Sequence, residues 1–220
     1  MKEIAIVCLL LISAQLFAQT KEYSLEEIER WQTVGRGNGY VTHGQFFMEE
    51  VEGSKGFMLL SSRKYKDVVL RYEVMTLNPA TVLVAILNAS DIGDSSELTI
   101  TGNSDSFGFW ASEVEDYMFG FRVMAHNSTP FLRKYPIESG KNNQIGLAEK
   151  DVMHSGWRHQ VECGKKGNRL WLKIDGVILI DVEDEEPLNT GKIAIRVRGT
   201  ASELGKCMIR NMEIEGEEVD

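Results

Sequence analysis

Residues 156–181 read GWRHQVECGKKGNRLWLKIDGVILID. Apolar and polar side chains alternate in the three parts of this stretch that begin at residues 158, 169 and 177, as they do in half-buried β-strands. Turn residues at 164–168 separate the first two parts. The dipeptide Asp175-Gly176, which favours a two-residue hairpin turn, separates the last two. The stretch therefore predicts three consecutive antiparallel strands.

The same alternation continues outward through the chain, with turn residues between short runs. Residues 81–87 are apolar on both faces, which is typical of a central strand covered on both sides. We expect strands at 40–42, 45–49, 56–61, 68–76, 81–88, 98–101, 107–112, 117–125, 129–134, 158–163, 169–174, 177–182, 191–198 and 207–215. Many short strands and no long helical pattern predict an all-β fold, a two-sheet antiparallel β-sandwich of the jelly-roll kind.

The chain divides into three segments. Residues 1–18 have a charged start, an apolar run and a small residue at Ala18, which predicts a secretory signal peptide cleaved after Ala18. The apolar run is shorter than a membrane-spanning helix requires, and Cys8 lies inside it, so no membrane anchor is expected. Residues 19–39 form an N-terminal segment, in which Ser24 and Glu27 have the spacing of a helical capping box. Residues 40–220 form the sandwich domain, and we expect a secreted or periplasmic protein.

Charge and cysteine content limit the partners and the cross-links. The net charge is −9 and no run of basic residues occurs, so nucleic acid and anionic membranes are not expected as partners. Cys163 and Cys207 remain after removal of the signal peptide. They either form a disulfide or stay as two buried thiols. Trp157 and Trp171 have the spacing of core residues.

Aromatic, basic and amide side chains concentrate between residues 107 and 136. Aromatic faces pack against sugar rings, and arginine and asparagine donate directed hydrogen bonds to hydroxyl or carboxylate groups. Gly120 leaves room for the close approach of a ligand or of another backbone. This pattern predicts a carbohydrate site, whereas the alternative is a set of core aromatics beside a solvated turn. The expected substrate-binding residues are Trp110, Asn127, Arg133 and Tyr135.

His126 is the strongest candidate for acid–base chemistry, because an imidazole titrates near neutral pH. With Arg122 neutralising a carboxylate and Tyr117 nearby, it can remove a proton next to that carboxylate, as in a polysaccharide lyase. The expected catalytic residues are therefore His126, Arg122 and Tyr117. The alternative is a histidine that caps a hairpin turn.

The sequence patterns for paired catalytic carboxylates and for metal ligands are weaker than the aromatic and basic pattern at 107–136. A glycoside hydrolase needs two facing carboxylates, and the chain has no alternating Glu-x-Asp-x-Glu run that would place them on one strand. The histidines lack the spacing of transition-metal ligands. Residues 91–97 contain oxygen donors suitable for a structural calcium ion but lack the spacing of an EF-hand loop. We expect no cofactor beyond that calcium.

Three stretches carry a family resemblance. The runs at 56–74, 107–135 and 174–196 resemble bacterial concanavalin A-like lectin and glucanase sandwich domains, which include the 3-keto-disaccharide hydrolase family. The second and third runs are similar to secreted sandwich proteins of acidic-glycan degradation systems. The resemblance covers roughly residues 40–215, and it implies a jelly-roll fold and a carbohydrate partner. It supplies no catalytic motif that these residues match.

Two functions follow as hypotheses. One is a secreted carbohydrate-active enzyme, a lyase or glycoside hydrolase acting on an acidic poly- or oligosaccharide. The alternative is a non-catalytic carbohydrate-binding module, favoured by the missing carboxylate motif. A third hypothesis is a structural or partner-binding sandwich that has no sugar site.

Overall fold

The computed structural model describes residues 19–123, 128–137, 142–200 and 203–219. These residues form antiparallel strands and two short helices, which confirms the all-β prediction. The elements are β1 (Gln19–Tyr23), α1 (Leu25–Glu29), β2 (Gln32–Gly35), β3 (Gly37–Thr42), β4 (Gln45–Glu50), β5 (Phe57–Thr76), β6 (Val82–Asp91), α2 (Phe107–Ser112), β7 (Val114–Phe121), β8 (Phe131–Tyr135), β9 (Gln144–Leu147), β10 (Arg158–Lys166), β11 (Arg169–Ile174), β12 (Val177–Glu183), β13 (Gly191–Arg198) and β14 (Lys206–Val219). No helix in these ranges is long and apolar enough to cross a membrane.

Strand β5 belongs to both layers of the sandwich. Its second half pairs with β10 on one side and β14 on the other, within the order β12-β11-β10-β5-β14. Strands β1 and β4 pair with the far side of β14, and β3 pairs with β4. We call this layer sheet I. The first half of β5 lies in sheet II, which has the order β2-β5-β13-β6-β7-β8-β9.

Apolar side chains fill two cores. The main core lies between the sheets and includes Leu70 and Tyr72 from sheet I and Phe119 and Ile195 from sheet II. A second core covers the outer face of sheet II, where residues 98–111, including α2, pack over Met58, Val84 and Ile86. Strand β6 is therefore buried on both faces, as its apolar sequence predicts.

The N-terminal segment packs into the sandwich. Ser24 accepts a hydrogen bond from the Glu27 backbone, and the Glu27 side chain accepts one from the Ser24 backbone, so the predicted capping box is confirmed. Strand β1 pairs with β14 and β2 pairs with β5. Ile28 and Trp31 lie in the main core.

Some predicted elements are wrong. Residues 107–112 form α2 instead of a strand, because Ser106 accepts a hydrogen bond from the Phe109 backbone and caps a helical turn. Residues 98–101 form no strand and contribute Leu98 and Ile100 to the second core. Strands β1, β2 and β9 were not expected. They are short, and their pairing with distant strands, not their own pattern, makes them β-structure.

Both described cysteines are free and buried. Cys163 on β10 pairs with Leu70, and Cys207 on β14 pairs with Thr76, so the two cysteines flank β5 from opposite sides. Two strand spacings amount to roughly 10 Å, which exceeds the Cα separation that a disulfide bridges. The structure therefore contains two buried thiols, the second of the two alternatives.

Candidate functional site

A groove of about 570 Å³ lies on the outer face of sheet I. Its floor consists of outward-facing side chains from β5, β10, β11 and β14. Its walls include the β3–β4 turn at Gly44, the junction of β1 and α1, and the β11–β12 turn at Gly176. The polar side chains of the floor are Arg71, Glu73, Gln160, Glu162, Lys173, Arg210, Asn211 and Glu213.

Strand alternation places these side chains on one face. Leu70, Tyr72 and Val74 of β5 point into the main core, so Arg71 and Glu73 point outward. The β5–β10 register then sets Glu162 opposite Arg71 and Gln160 opposite Glu73. The β10–β11 register sets Lys173 opposite Glu162. Five charged or amide side chains thus meet, supplied by β5 and by the β10–β11 hairpin, which lies far from β5 in the sequence.

An irregularity in β14 adds two donors. The register between β14 and β5 shifts between Arg210 and Glu213, and Asn211 has a φ of 50°. This bulge directs two adjacent side chains toward Glu73: Arg210 Nε lies 2.8 Å and Asn211 Nδ2 lies 2.9 Å from its carboxylate oxygens.

Glu162 is the centre of an ion-pair network. Its carboxylate accepts hydrogen bonds from Arg71 Nε at 2.8 Å, from Lys173 Nζ at 2.7 Å and from Trp171 Nε1 at 2.7 Å. Arg71 also donates to Glu215 at 3.0 Å. The network fixes the charged groups of the groove floor in one arrangement.

Glu73 and Glu162 of the floor are ionised at neutral pH. Partial burial opposes ionisation of Glu162, but the hydrogen bonds from Lys173, Arg71 and Trp171 outweigh it and lower its pKa to about 2. Burial also opposes ionisation of Glu73, and the hydrogen bonds from Arg210 and Asn211 again lower the pKa. Neither group therefore holds a proton that it can give to a leaving group.

The two tryptophans expected in the core differ in position. Trp171 is 8% exposed, but it lies on the outer face of sheet I and packs against Gly164, where an added Cβ would come within 2.1 Å of the ring. Trp157 is 66% exposed in the loop before β10, so its assignment to the core is wrong. The loop backbone bends at Gly156, which has a positive φ, and leaves no core position for that ring.

Three of the expected site residues lie together on the outer face of sheet II. Trp110 is fully buried in the second core, and its indole N–H donates to the Ser104 carbonyl at 2.7 Å. Tyr135 is in the same core, and Arg133 Nη1 donates to its hydroxyl at 3.4 Å. The space above Gly120 is filled by the ring of Phe131, whose atoms lie within 2.3 Å of where a Cβ would be.

Tyr117 points the other way, into the main core. Its hydroxyl donates to Asp184 at 2.6 Å and accepts from the Leu188 N–H at 2.8 Å. Burial, together with the hydrogen bond to Asp184, raises the pKa of Tyr117. The phenol therefore stays protonated at neutral pH and is a poor base.

Arg122 lies apart from Tyr117 and from the cluster of Trp110, Arg133 and Tyr135. It is buried with a φ of 51°, and its Nη1 lies 3.6 Å from Asp151 Oδ2. His126 and Asn127 lie outside the described residues. The structure thus brings Trp110, Arg133 and Tyr135 together and places Tyr117 and Arg122 elsewhere.

The proposed calcium loop is closed by its own hydrogen bonds. Asp91 accepts from the Thr99 backbone and hydroxyl at 2.8 and 2.7 Å, and Asp94 accepts from those of Ser96 at 3.0 and 2.6 Å. No group of three or more histidine, cysteine, aspartate or glutamate side chains in the described parts of the chain is placed to hold a metal.

The groove on sheet I is not among the sites predicted from the sequence. Its signal is the outward alternation Arg71-x-Glu73, Gln160-x-Glu162 and Lys173, which by itself is typical of any solvated sheet face. Only the register that joins β5 to β10 and β14 makes these positions a site.

The chain has the fold of concanavalin A-like lectin and glucanase sandwich domains, as the sequence resemblance predicts. No protein-family model matches the sequence, and no curated protein is significantly similar to it.

Three solved structures illustrate the likeness, and at these identities it concerns the fold alone. A protein of unknown function with a galectin-like fold from Bacillus subtilis has a TM-score of 0.73 at 15% identity, covering 90% of this chain and 98% of that one. A β-1,3-1,4-glucanase (lichenase) derived from a mouse hindgut metagenome has a TM-score of 0.59 at 12% identity, covering 90% of this chain and 98% of that one. The carbohydrate-binding module CBM66 from Bacillus subtilis has a TM-score of 0.57 at 14% identity, covering 85% of this chain and 98% of that one.

Proposed function

We propose that this protein binds a carbohydrate in the groove on sheet I without cleaving it. The observation that carries the proposal is the groove floor, in which ionised Glu73 and Glu162 lie beside amide and guanidinium donors. Fixed carboxylates accept hydrogen bonds from sugar hydroxyls, and amides and guanidinium groups donate to them. A set of fixed donors and acceptors orients a polar ligand without supplying a proton.

The similar structures support a carbohydrate partner. They include a carbohydrate-binding module and a β-1,3-1,4-glucanase, so sugar recognition occurs on this fold both with and without bond cleavage.

The groove favours a neutral glycan over the acidic glycan expected from the sequence. Arg71 and Lys173 are both paired with Glu162, and Arg210 is paired with Glu73. A uronate entering the groove has to compete with these carboxylates for the same cations and is repelled by them.

Cleavage is less well supported than binding. Glu73 and Glu162 lack the raised pKa of a general acid. Burial raises the pKa of Asp116, but this side chain is fully buried in sheet II and does not reach a ligand in the groove. A lyase or hydrolase that uses the residues near His126 is the second outcome of the test below. Secretion, proposed from residues 1–18, puts the protein where extracellular glycans are present.

Calorimetric titration tests the binding. We expect β-1,3-1,4-glucan to bind with a micromolar to millimolar Kd and homogalacturonan, the acidic probe, to bind more weakly. Gln160→Ala removes an exposed groove amide and should weaken binding about 3- to 10-fold. The matched control is Gln32→Ala, which removes an exposed strand glutamine from sheet II and should leave Kd unchanged.

Mass spectrometry of the same mixtures separates binding from cleavage. No new product is expected. Products that have gained one water would indicate hydrolysis, and unsaturated products lighter by one water would indicate elimination; either result contradicts a purely binding role.

A further inference from the structure

The outer face of sheet I continues past the groove onto strands β4 and β3. In the strand registers, Arg158 pairs with Met75, Met75 with Met208, Met208 with Phe47, and Phe47 with Tyr40. These five residues form one row across five strands. We call its apolar part, Tyr40, Phe47, Met208 and Met75, the aromatic strip.

Alternation shows that the strip faces outward. The neighbours of its residues along the strands are core residues: Phe46 and Met48 on β4, Cys207 and Ile209 on β14, and Val74 on β5. Side chains between them therefore point to the opposite face, which also carries Glu73 and Arg210 of the groove.

Tyr40 is the accessible ring of the strip. It is 42% exposed, whereas Phe47 behind it is only 8% exposed. The two ring centroids lie 5.0 Å apart at an interplanar angle of 42°. Phe47 thus supports the phenol ring from one side and leaves part of it open to solvent. A half-exposed, supported aromatic ring packs against the apolar face of a sugar ring at small cost in side-chain entropy.

Polar contacts join the strip to the groove. Arg158 Nη2 donates to Gln45 Oε1, and Arg158 Nε lies 3.8 Å from Glu73 Oε2. Gln45 begins β4, and the adjacent Gly44 forms part of the groove wall. The groove and the strip are therefore neighbouring parts of one surface.

We propose that Tyr40 forms a second sugar subsite, so that the ligand of the groove is a glycan chain lying across the strands rather than a single sugar. This inference rests on the proposed function. From β10 to β3 the surface crosses four strand spacings, roughly 19 Å, which is longer than one sugar ring. The groove orients one sugar by hydrogen bonds, and Tyr40 stacks on another further along the chain.

Dependence of affinity on chain length tests the proposal. The probes are β-1,3-1,4-gluco-oligosaccharides of two, three, four and six glucose units, measured by calorimetric titration. Wild-type affinity should rise with length. Tyr40→Ala should remove that gain, lowering hexasaccharide affinity about 3- to 10-fold while leaving disaccharide affinity unchanged. Tyr40→Phe keeps the ring and should keep most of the gain.

The control variant is Leu147→Ala, which removes a 60%-exposed apolar side chain from β9 of sheet II and should leave every affinity unchanged. If the affinity of Tyr40→Ala equals that of wild type at all lengths while Gln160→Ala weakens binding, the proposed second subsite is wrong. Sugar binding in the groove is then still supported. If wild type binds neither these oligosaccharides nor the parent glucan, both the subsite and the proposed function are wrong. Circular dichroism melting of each variant excludes unfolding as the cause.

Discussion

Gly164 lies beneath the indole of Trp171 on the outer face of sheet I. A Cβ at this position would come within 2.1 Å of the ring, so the ring or the strand has to move. We expect Gly164→Ala to lower the free energy of unfolding by about 1–3 kcal/mol, the cost of overpacking. Urea denaturation followed by tryptophan fluorescence measures it. Gly102→Ala, with nothing within 4 Å of the new methyl, is the control, and equal midpoints for both variants would contradict this packing.

The ionised side chain of Glu162 makes the free energy of unfolding depend on pH in the acidic range. Its pKa is about 2 in the folded protein, because the hydrogen bonds from Lys173, Arg71 and Trp171 outweigh burial, and it is about 4.3 in an unfolded chain. A lowered folded pKa gives stability that is fully present above pH 4.3 and is lost as pH falls toward 2.

The corresponding prediction compares wild type with Glu162→Gln. At pH 7 the variant should be less stable by about 1 kcal/mol, since solvent screens a partly exposed ion pair. The difference should shrink between pH 4.3 and pH 2. Urea unfolding at a series of pH values measures it, and a difference that stays constant down to pH 2 would show that Glu162 does not carry the effect.

At the scale of the elements, β5 depends on Asn88 where it passes from one sheet to the other. The Asn88 amide donates to the carbonyls of Tyr65 at 2.9 Å, Lys66 at 3.0 Å and Asn189 at 2.8 Å. These contacts join the bend of β5 to β6 and to the segment before β13. Asn88 itself has a φ of 53°, a conformation that asparagine tolerates better than alanine does.

Two substitutions separate these effects. Asn88→Gly removes the amide but accepts the backbone conformation, and it should cost about 2–3 kcal/mol because buried carbonyls lose their donor. Asn88→Ala adds backbone strain and should cost about 1 kcal/mol more. Thermal and urea unfolding measure both. Wild-type stability in Asn88→Gly would mean that the amide does not hold the bend.

Elements with local signals could be predicted from the sequence, and elements defined by partners could not. The meander of β10, β11 and β12 and the capping box of α1 are local patterns, and the structure has both. The helix α2 was mistaken for a strand because Phe107, Phe109 and Trp110 satisfy either period. The groove was missed for a different reason: Arg71, Glu162 and Arg210 meet only through long-range register, which no spacing in the sequence reveals.

At the scale of the whole molecule, packing has to hold the sandwich without a disulfide between the two cysteines of the described ranges. Two cores, one between the sheets and one outside sheet II, enclose most of the apolar side chains. Cys163 and Cys207 are part of the main core and lie on opposite sides of β5. Even in the oxidising compartment proposed for this protein, the folded chain cannot join them.

The rate at which a reagent labels the two thiols therefore measures how often the entire fold opens. Burial raises the pKa of Cys207 to about 12 and also raises the pKa of Cys163, so neither forms a reactive thiolate in the folded protein. In a Cys8→Ser background, we expect labelling of both thiols by an aromatic disulfide reagent to be at least about 10³-fold slower in buffer than in denaturant, because it requires unfolding. Reductant should leave the melting temperature unchanged. Fast labelling of one cysteine in buffer would mean that its strand opens separately from the sandwich, and a melting temperature that falls with reductant would mean that a disulfide forms in spite of the register.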